Sequence, residues 1–199
     1  LANGFHVVGR RLRGGTVTFD SPASSQYLSA LMLVGPLMED GLCIRWQGTQ
    51  LSRPYVEMTA RVMRHFGAVV EVGGTHIRVM PGGYGPKPFA VPRDWSAAAF
   101  WFQVVALARD AEVLLEGLVD DGLQGDAAAV LLWQDHVNTT VTPAGLLLRS
   151  RRWTDGPEPV VDLTATPDLF QPLALTHAGL GSAITITGLH NLHLKESDR

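Results

Sequence analysis

The feature that most constrains this chain is an ordered alternation of two hydrophobic periods. Apolar residues recurring every second position mark a strand with one buried face, and those recurring every 3.6 positions mark a helix. TVTF at 16–19 reads as a strand and SQYLSALMLVGPLM, from Ser25, as a helix. CIRW at 43–46 is a second strand, followed by a helix in RPYVEMTARVMRHFG from Arg53. AVVEV at 68–72 and HIRVM at 76–80 then form two strands joined through Gly73-Gly74, a strong hairpin signal. The order is βαβαββ. It recurs with FAV at 89–91, a helix over 96–108, EVLLEG at 112–117, a helix over 126–136, and TTV with LLLRS as a closing hairpin. A third round has VVDL at 160–163, a helix from Pro167 to about Ala178, and AITIT at 183–187. It stops at LKESDR, 194–199, where a turn should enter its second helix. The expected fold is α/β, with two complete βαβαββ units and a truncated third. LANGFHVVGRRLRGG, before the first unit, reads as the tail of a preceding hairpin, so a fragment of a longer chain is expected.

Composition bounds the function classes. The 199 residues are 46% hydrophobic and 18% charged, enough apolar side chain for a sizeable core. A net charge of -3 and a pI near 6.2 argue against a nucleic-acid partner, which needs a broad basic face. RRLR at 10–13 and RSRR at 149–152 are the basic clusters, and both are expected in solvated loops. No apolar run approaches the roughly 20 residues that span a bilayer, and the first 20 residues lack the order of a signal peptide. A cytoplasmic protein without a membrane partner is expected. The single Cys43 cannot form an internal disulfide, and its place in GLCIRW favours a buried small residue over a nucleophile. The seven histidines lack partners at ligand spacing, so neither a metal nor a cofactor is expected.

Polar residues gather where the helices begin, and there unpaired N–H groups and the dipole favour anions. SPASSQY offers Ser24, Ser25 and Gln26, which suits a phosphate, although such a motif by itself is more often only an N-cap. Ser52 precedes Arg53-Pro54-Tyr55, with the Tyr55 hydroxyl in reach of the same helix start. Asp168 follows Pro167 in the first turn of an otherwise apolar helix, as a helix-start charge or as a carboxylate for a substrate hydroxyl. LKESDR places Lys195, Glu196, Asp198 and Arg199 directly after a strand. That is a solvated turn, or an acid, a base and an anion clamp together.

In order and spacing, SSQYLSALML, LSRPYVEMTARVMRHFG, DWSAAAFWFQVVAL, LQGDAAA, PDLFQPLAL and GLHNLHLKESDR resemble the middle of the 3-phosphoshikimate 1-carboxyvinyltransferase, or EPSP synthase, family. The resemblance runs from about Gly14 to Arg199. It implies two domains, each of three βαβαββ units, with the active site between them, and no cofactor. Residues 1–85 would be the C-terminal part of one domain, and 86–199 the first part of the second. The Gly- and Pro-rich stretch at 81–94 would hold the crossover.

The family moves the enolpyruvyl group of phosphoenolpyruvate onto the 5-hydroxyl of shikimate 3-phosphate and releases phosphate, in aromatic amino acid biosynthesis. By resemblance, Ser24 and Ser25 hold the shikimate phosphate and Gln26 lies between the two substrates. Ser52 and Tyr55 complete the shikimate 3-phosphate pocket, and Asn191 contacts its phosphate. Asp168 polarises the attacking hydroxyl with Lys195 beside it, Glu196 donates the proton to C3, and Arg199 grips phosphoenolpyruvate. The division of acid and base among Asp168, Lys195 and Glu196 stays open, because coupled groups titrate together. His193 stands where the family often has Arg, and DWSAAAF is less serine-rich than usual. The family's N-terminal Lys-Ser segment, glycine-rich loop and further cationic clamps have no counterpart in these residues. The implied fragment is poorly active alone and prone to self-associate through uncovered apolar faces. Three rivals share parts of the pattern. A UDP-sugar enolpyruvyl transferase would need a reactive-loop cysteine, and an RNA-terminal-phosphate cyclase a basic surface. The third is a catalytically dead binding or structural module.

Overall fold

In LCIRW the residues Leu42, Ile44 and Trp46 are buried while Arg45 between them is exposed, the period-2 pattern of a strand with one covered face. The structure is a computed structural model that describes residues 4–20, 24–48, 52–152 and 156–190. The chain divides into two compact units, Leu1–Gln50 with Thr59–Lys87, and Leu51–Met58 with Pro88–Arg199.

The first unit holds β1 (Gly15–Phe19), α1 (Ser25–Val34), β2 (Leu42–Trp46), β3 (Val70–Val72), β4 (His76–Val79) and most of α2 (Arg53–His65). Its sheet runs in the order β1-β2-β4-β3, with β1 parallel to β2 and the remaining pairs antiparallel. Leu28 and Met32 from α1, Ala60 and Met63 from α2, and Ile44, Val70, Ile77 and Val79 from the strands are all buried. The four-residue spacing of Leu28 and Met32 puts both on one face of the helix. The hairpin expected at Gly73-Gly74 is present, closed by the Gly73 N–H donating to the His76 carbonyl at 2.8 Å.

The second unit contains α3 (Trp95–Leu107), β5 (Glu112–Glu116), α4 (Ala129–Leu132), β6 (Val137–Thr142), β7 (Gly145–Ser150), β8 (Val160–Asp162), α5 (Phe170–Leu180) and β9 (Thr185–Thr187). β5, β7 and β6 make an antiparallel sheet in that order, and β8 pairs with β9 in parallel. Phe102, Trp133, Leu148, Leu163, Leu169 and Leu173 are fully buried in one cluster. Helices α3 and α5 meet closely at Gly179, where an added Cβ would lie 2.6 Å from Leu107 Cδ2. The Trp133 indole N–H donates to Thr176 Oγ1 at 3.0 Å, and that hydroxyl donates to the Pro172 carbonyl at 2.7 Å. Trp133 therefore brings no unsatisfied donor into the core of this unit.

Three expectations differ from what is observed. FAV at 89–91 is irregular, because Pro86, Pro88 and Pro92 around it have no N–H to give to a ladder. The helix expected over 126–136 is a 3-10 turn, Gly125–Ala128, followed by the single turn of α4. It ends where the His136 and Val137 N–H groups both bond the Trp133 carbonyl and the chain turns into β6. Part of RSRR is strand rather than loop: Arg149, in β7, pairs across the sheet with Glu112 of β5 at 2.6 Å.

His136 and His177 are both buried, with their rings edge to face and 5.2 Å apart. Burial holds both imidazoles below their ordinary value of 6.5; Arg151 adds to this at His136, Asp135 opposes it there, and the His136 ring adds to it at His177. The unfolded chain therefore takes up these protons at a higher pH than the folded chain. Stability from the pair is fully present above about pH 6.5 and is lost as the pH falls through that value towards the folded ones, by about 1.4 kcal/mol per unit of depression at each group. Urea midpoints should fall between pH 7.5 and pH 5, and His177→Gln should flatten the decline. An unchanged slope in that variant would refute the linkage.

Candidate functional site

Ser52 has a left-handed backbone, φ +54°, the one non-glycine positive φ among the described residues. Such a conformation is rare for a residue with a Cβ, and it persists only where surroundings impose it. The surroundings are identifiable. The Ser52 N–H donates to the Thr164 carbonyl at 2.9 Å, and its own carbonyl accepts from the Tyr55 N–H at 3.2 Å. The side chain is buried, and its Oγ has no hydrogen-bond partner. A buried hydroxyl without a partner is uncommon in native proteins, and together with the backbone strain it marks a candidate functional position.

Tyr55 follows one turn into the helix. Its hydroxyl donates to Asp126, with both carboxylate oxygens at 2.9 Å. Asp126 is 1% exposed and sits in the 3-10 turn opened by Gly125. A Cβ at Gly125 would lie 2.5 Å from Pro54 Cβ, so only glycine lets this turn press against the start of α2. The Ser96 hydroxyl, in the first turn of α3, donates to Asp126 at 2.5 Å. The start of α3 is itself pinned, with the Ala97 N–H donating to Asp94 and the Trp95 N–H to Gln124 Oε1. Asp168, in the turn Pro167–Leu169 before α5, is close enough for its charge to act on the Tyr55 hydroxyl.

These placements set the electrostatics. Burial pushes the Asp126 carboxyl above its usual range, bonds from Ser96 and Tyr55 pull it back, and the charges of Asp168 and Asp94 push it up. The Tyr55 phenol is pushed far up, first by burial and then by Asp126 and Asp168, so it stays protonated under any ordinary condition.

Ser52, Tyr55 and Asp168 all lie in the second unit. Two neighbours were not anticipated: Asp126, read only as a turn into a helix, and Ser96, read only as part of an apolar helix. Both carry the signal used for Asp168, a polar residue at the start of an apolar segment, and could have been found by it. Ser24, Ser25 and Gln26 lie in the first unit at the start of α1. There Ser24 is the N-cap, its Oγ accepting from the Gln26 N–H at 3.4 Å, while Ser25 is buried and Gln26 exposed. Asn191, Lys195, Glu196 and Arg199 lie outside the described residues. Among the described residues no group of three or more His, Cys, Asp or Glu could hold a metal ion, and no helix is long and apolar enough to cross a membrane.

The family model of EPSP synthase (3-phosphoshikimate 1-carboxyvinyltransferase) matches residues 2–199. The chain belongs to the EPSP synthase family. It is 37% identical over 195 residues to the 3-phosphoshikimate 1-carboxyvinyltransferase of Bacteroides fragilis, covering 97% of this chain and 47% of that protein. With the enzyme of the same description from Methanoculleus marisnigri it shares 35% identity over 191 residues, 95% of this chain and 45% of that one. The chain therefore spans less than half the length of these relatives. In fold it is similar to EPSP synthase from Acinetobacter baumannii, with a TM-score of 0.60 over 96% of this chain and 44% of that one, at 23% identity. The mixed α/β architecture is thus that of the EPSP synthases.

The close contact at Gly125 yields a test. Gly125→Ala should lower stability by about 1–3 kcal/mol, because the added methyl must displace Pro54 from the turn that carries Asp126. Urea denaturation checks this, and a variant as stable as the parent would show that the two segments are not locked together.

Proposed function

We propose that this chain supplies the shikimate 3-phosphate side of an enolpyruvyl transferase, whose reaction joins phosphoenolpyruvate to the 5-hydroxyl and releases phosphate. The observation that carries the reading is the buried Ser52 hydroxyl with no partner, at the helix entry that also carries Tyr55 and is tied through the Ser52 N–H to the Thr164 carbonyl, four residues before Asp168. An anionic, hydroxyl-bearing substrate meets that chemistry. A free Oγ can donate to a phosphate oxygen, and a carboxylate can accept from the attacking hydroxyl.

In the proposed mechanism Ser24, Ser25 and Ser52 hold the phosphate, with Asn191 beside them. Asp168, supported by Lys195, takes the proton of the 5-hydroxyl as its oxygen attacks C2 of phosphoenolpyruvate. Glu196 gives a proton to C3 of the enol in the same step, forming the tetrahedral adduct. Loss of phosphate with return of a C3 proton restores the double bond, while Gln26 and Arg199 hold the phosphoenolpyruvate anion. Residues 1–85 would be the later part of one EPSP synthase domain and 86–199 the opening part of the other. Against a UDP-sugar transferase stands Cys43, which sits half-buried in β2 rather than in a reactive loop.

Calorimetric titration of shikimate 3-phosphate into the 199-residue chain should show saturable binding, weakened about tenfold by Ser52→Ala, the loss expected for one hydrogen bond to a charged group. Phosphate release with both substrates should stay near background, since the family's remaining phosphoenolpyruvate clamps have no counterpart in these residues. A folded chain that binds no shikimate 3-phosphate would refute the substrate reading, and robust turnover would refute the half-site reading.

A further inference from the structure

Alternation along β2 and β4 buries Leu42, Ile44, Ile77 and Val79 and puts Cys43, Arg45, His76 and Arg78 on the opposite face of the first unit's sheet. The register arranges that open face in rows. Thr18, Arg45 and His76 lie side by side on β1, β2 and β4, and Cys43, Arg78 and Glu71 side by side on β2, β4 and β3. Arg45 and Arg78 are therefore diagonal neighbours, with Cβ atoms about 7 Å apart, near enough for two long side chains to meet on one group. They border a hollow of about 490 Å³, within the size range of small-molecule sites, whose lining includes Thr18, Gln47, Thr75 and His76 but, among the described residues, no Asp or Glu. Elsewhere such a cation is balanced: on the second unit's sheet, Arg149 meets Glu112 across the strands at 2.6 Å. Arg45 faces a histidine instead, and its guanidinium makes neither an ion pair nor a hydrogen bond among the described residues. Arg78 reaches Glu71 only at 3.8 Å, with both side chains more than half exposed, and a pair of that kind contributes little. In a chain of net charge -3, this hollow is a local excess of positive charge.

We propose that the open face of this sheet binds a small phosphorylated compound, with its phosphoryl group held between Arg45 and Arg78. A guanidinium presents a fork of N–H donors that matches phosphate geometry. A phosphate monoester has three terminal oxygens, so it can accept from both forks at once, whereas a single carboxylate is satisfied by one. The hydroxyls of Thr18 and Thr75, the Gln47 amide and the His76 imidazole line the same hollow and offer further bonds to the phosphate or to hydroxyls beside it. The charge does not extend into a stripe that a long polyanion could follow, because Glu71 stands beside Arg78 on the next strand and the exposed Asp20 directly follows β1. None of these residues belongs to the shikimate 3-phosphate pocket proposed above, so this is a second site and does not rest on that reading.

Glycerol 3-phosphate is a suitable probe. Titrated into the 15N-labelled 199-residue chain, it should move the backbone amide resonances of Thr18, Arg45, Gln47, Thr75, His76 and Arg78 along saturable curves. Sodium chloride at equal ionic strength should move them little, since it supplies screening without the phosphoryl group. Arg45→Gln and Arg78→Gln should each weaken binding about tenfold, the loss expected for a hydrogen bond to a charged group. Both side chains are exposed, so either variant should fold and one can stand in for the other. Ser52→Ala should leave the curves where they are, and curves abolished by that change would assign the phosphate to the other pocket and overturn the proposal. Unsaturated shifts that chloride reproduces would reduce the face to a screened surface and overturn it equally. Curves that both arginine variants leave unaltered would do the same, as would heparin moving these resonances when glycerol 3-phosphate does not.

Discussion

A buried carboxylate is among the most demanding groups a fold can contain, and the second unit is organised around one. Asp126 can be held inside only because hydroxyls arrive from two other segments, Tyr55 near the start of α2 and Ser96 near the start of α3. Each needs its helix to begin at a set place. Gly125 admits the first by its lack of a side chain, and the Asp94 cap with the Gln124 contact secures the second. Removing either hydroxyl would leave charge without compensation, so the network is sustained as a whole. This explains why polar residues at three element starts meet beside an apolar core instead of facing water.

The two helix starts of interest meet their backbone needs in different ways. At α1, Ser24 makes an ordinary cap, and the local geometry alone would justify the serine. At α2, Ser52 carries a strained backbone and a buried hydroxyl with nothing to bond, which capping does not explain. Their local physics differs: the cap accounts for Ser24, and no contact within the described residues accounts for the Ser52 hydroxyl.

Period and turn chemistry made most of the strands and helices legible. β2 and β4 have clean alternation, α3 begins directly after the Asp94 cap, and α5 follows the turn that Pro167 opens. FAV failed because three residues of high strand propensity count for little between prolines, which remove the donors that a ladder requires. The stretch from Asp126 to His136 failed for a different reason. Its residues favour helix, but Asp126 is drawn to Tyr55 and Ser96, and Trp133 to Thr176, and these long-range bonds override local preference. The site was legible to the same degree. Asp168 and Asp126 carry the same local signal, a charge at the start of an apolar segment, but nothing local shows that Asp126 is buried, since its burial is decided by partners 30 and 71 residues away.

The left-handed turn at Ser52 also sets two demands of selection against each other. Glycine would adopt φ +54° freely, and relief of the strain would be worth about 1–2 kcal/mol to the folded state. It would also erase the hydroxyl. A screen for thermal stability alone should drift towards glycine at this position, whereas a screen that demands ligand capture should hold serine. Which residue persists under each regime would report whether the chain is being kept as a fold or as a binding surface.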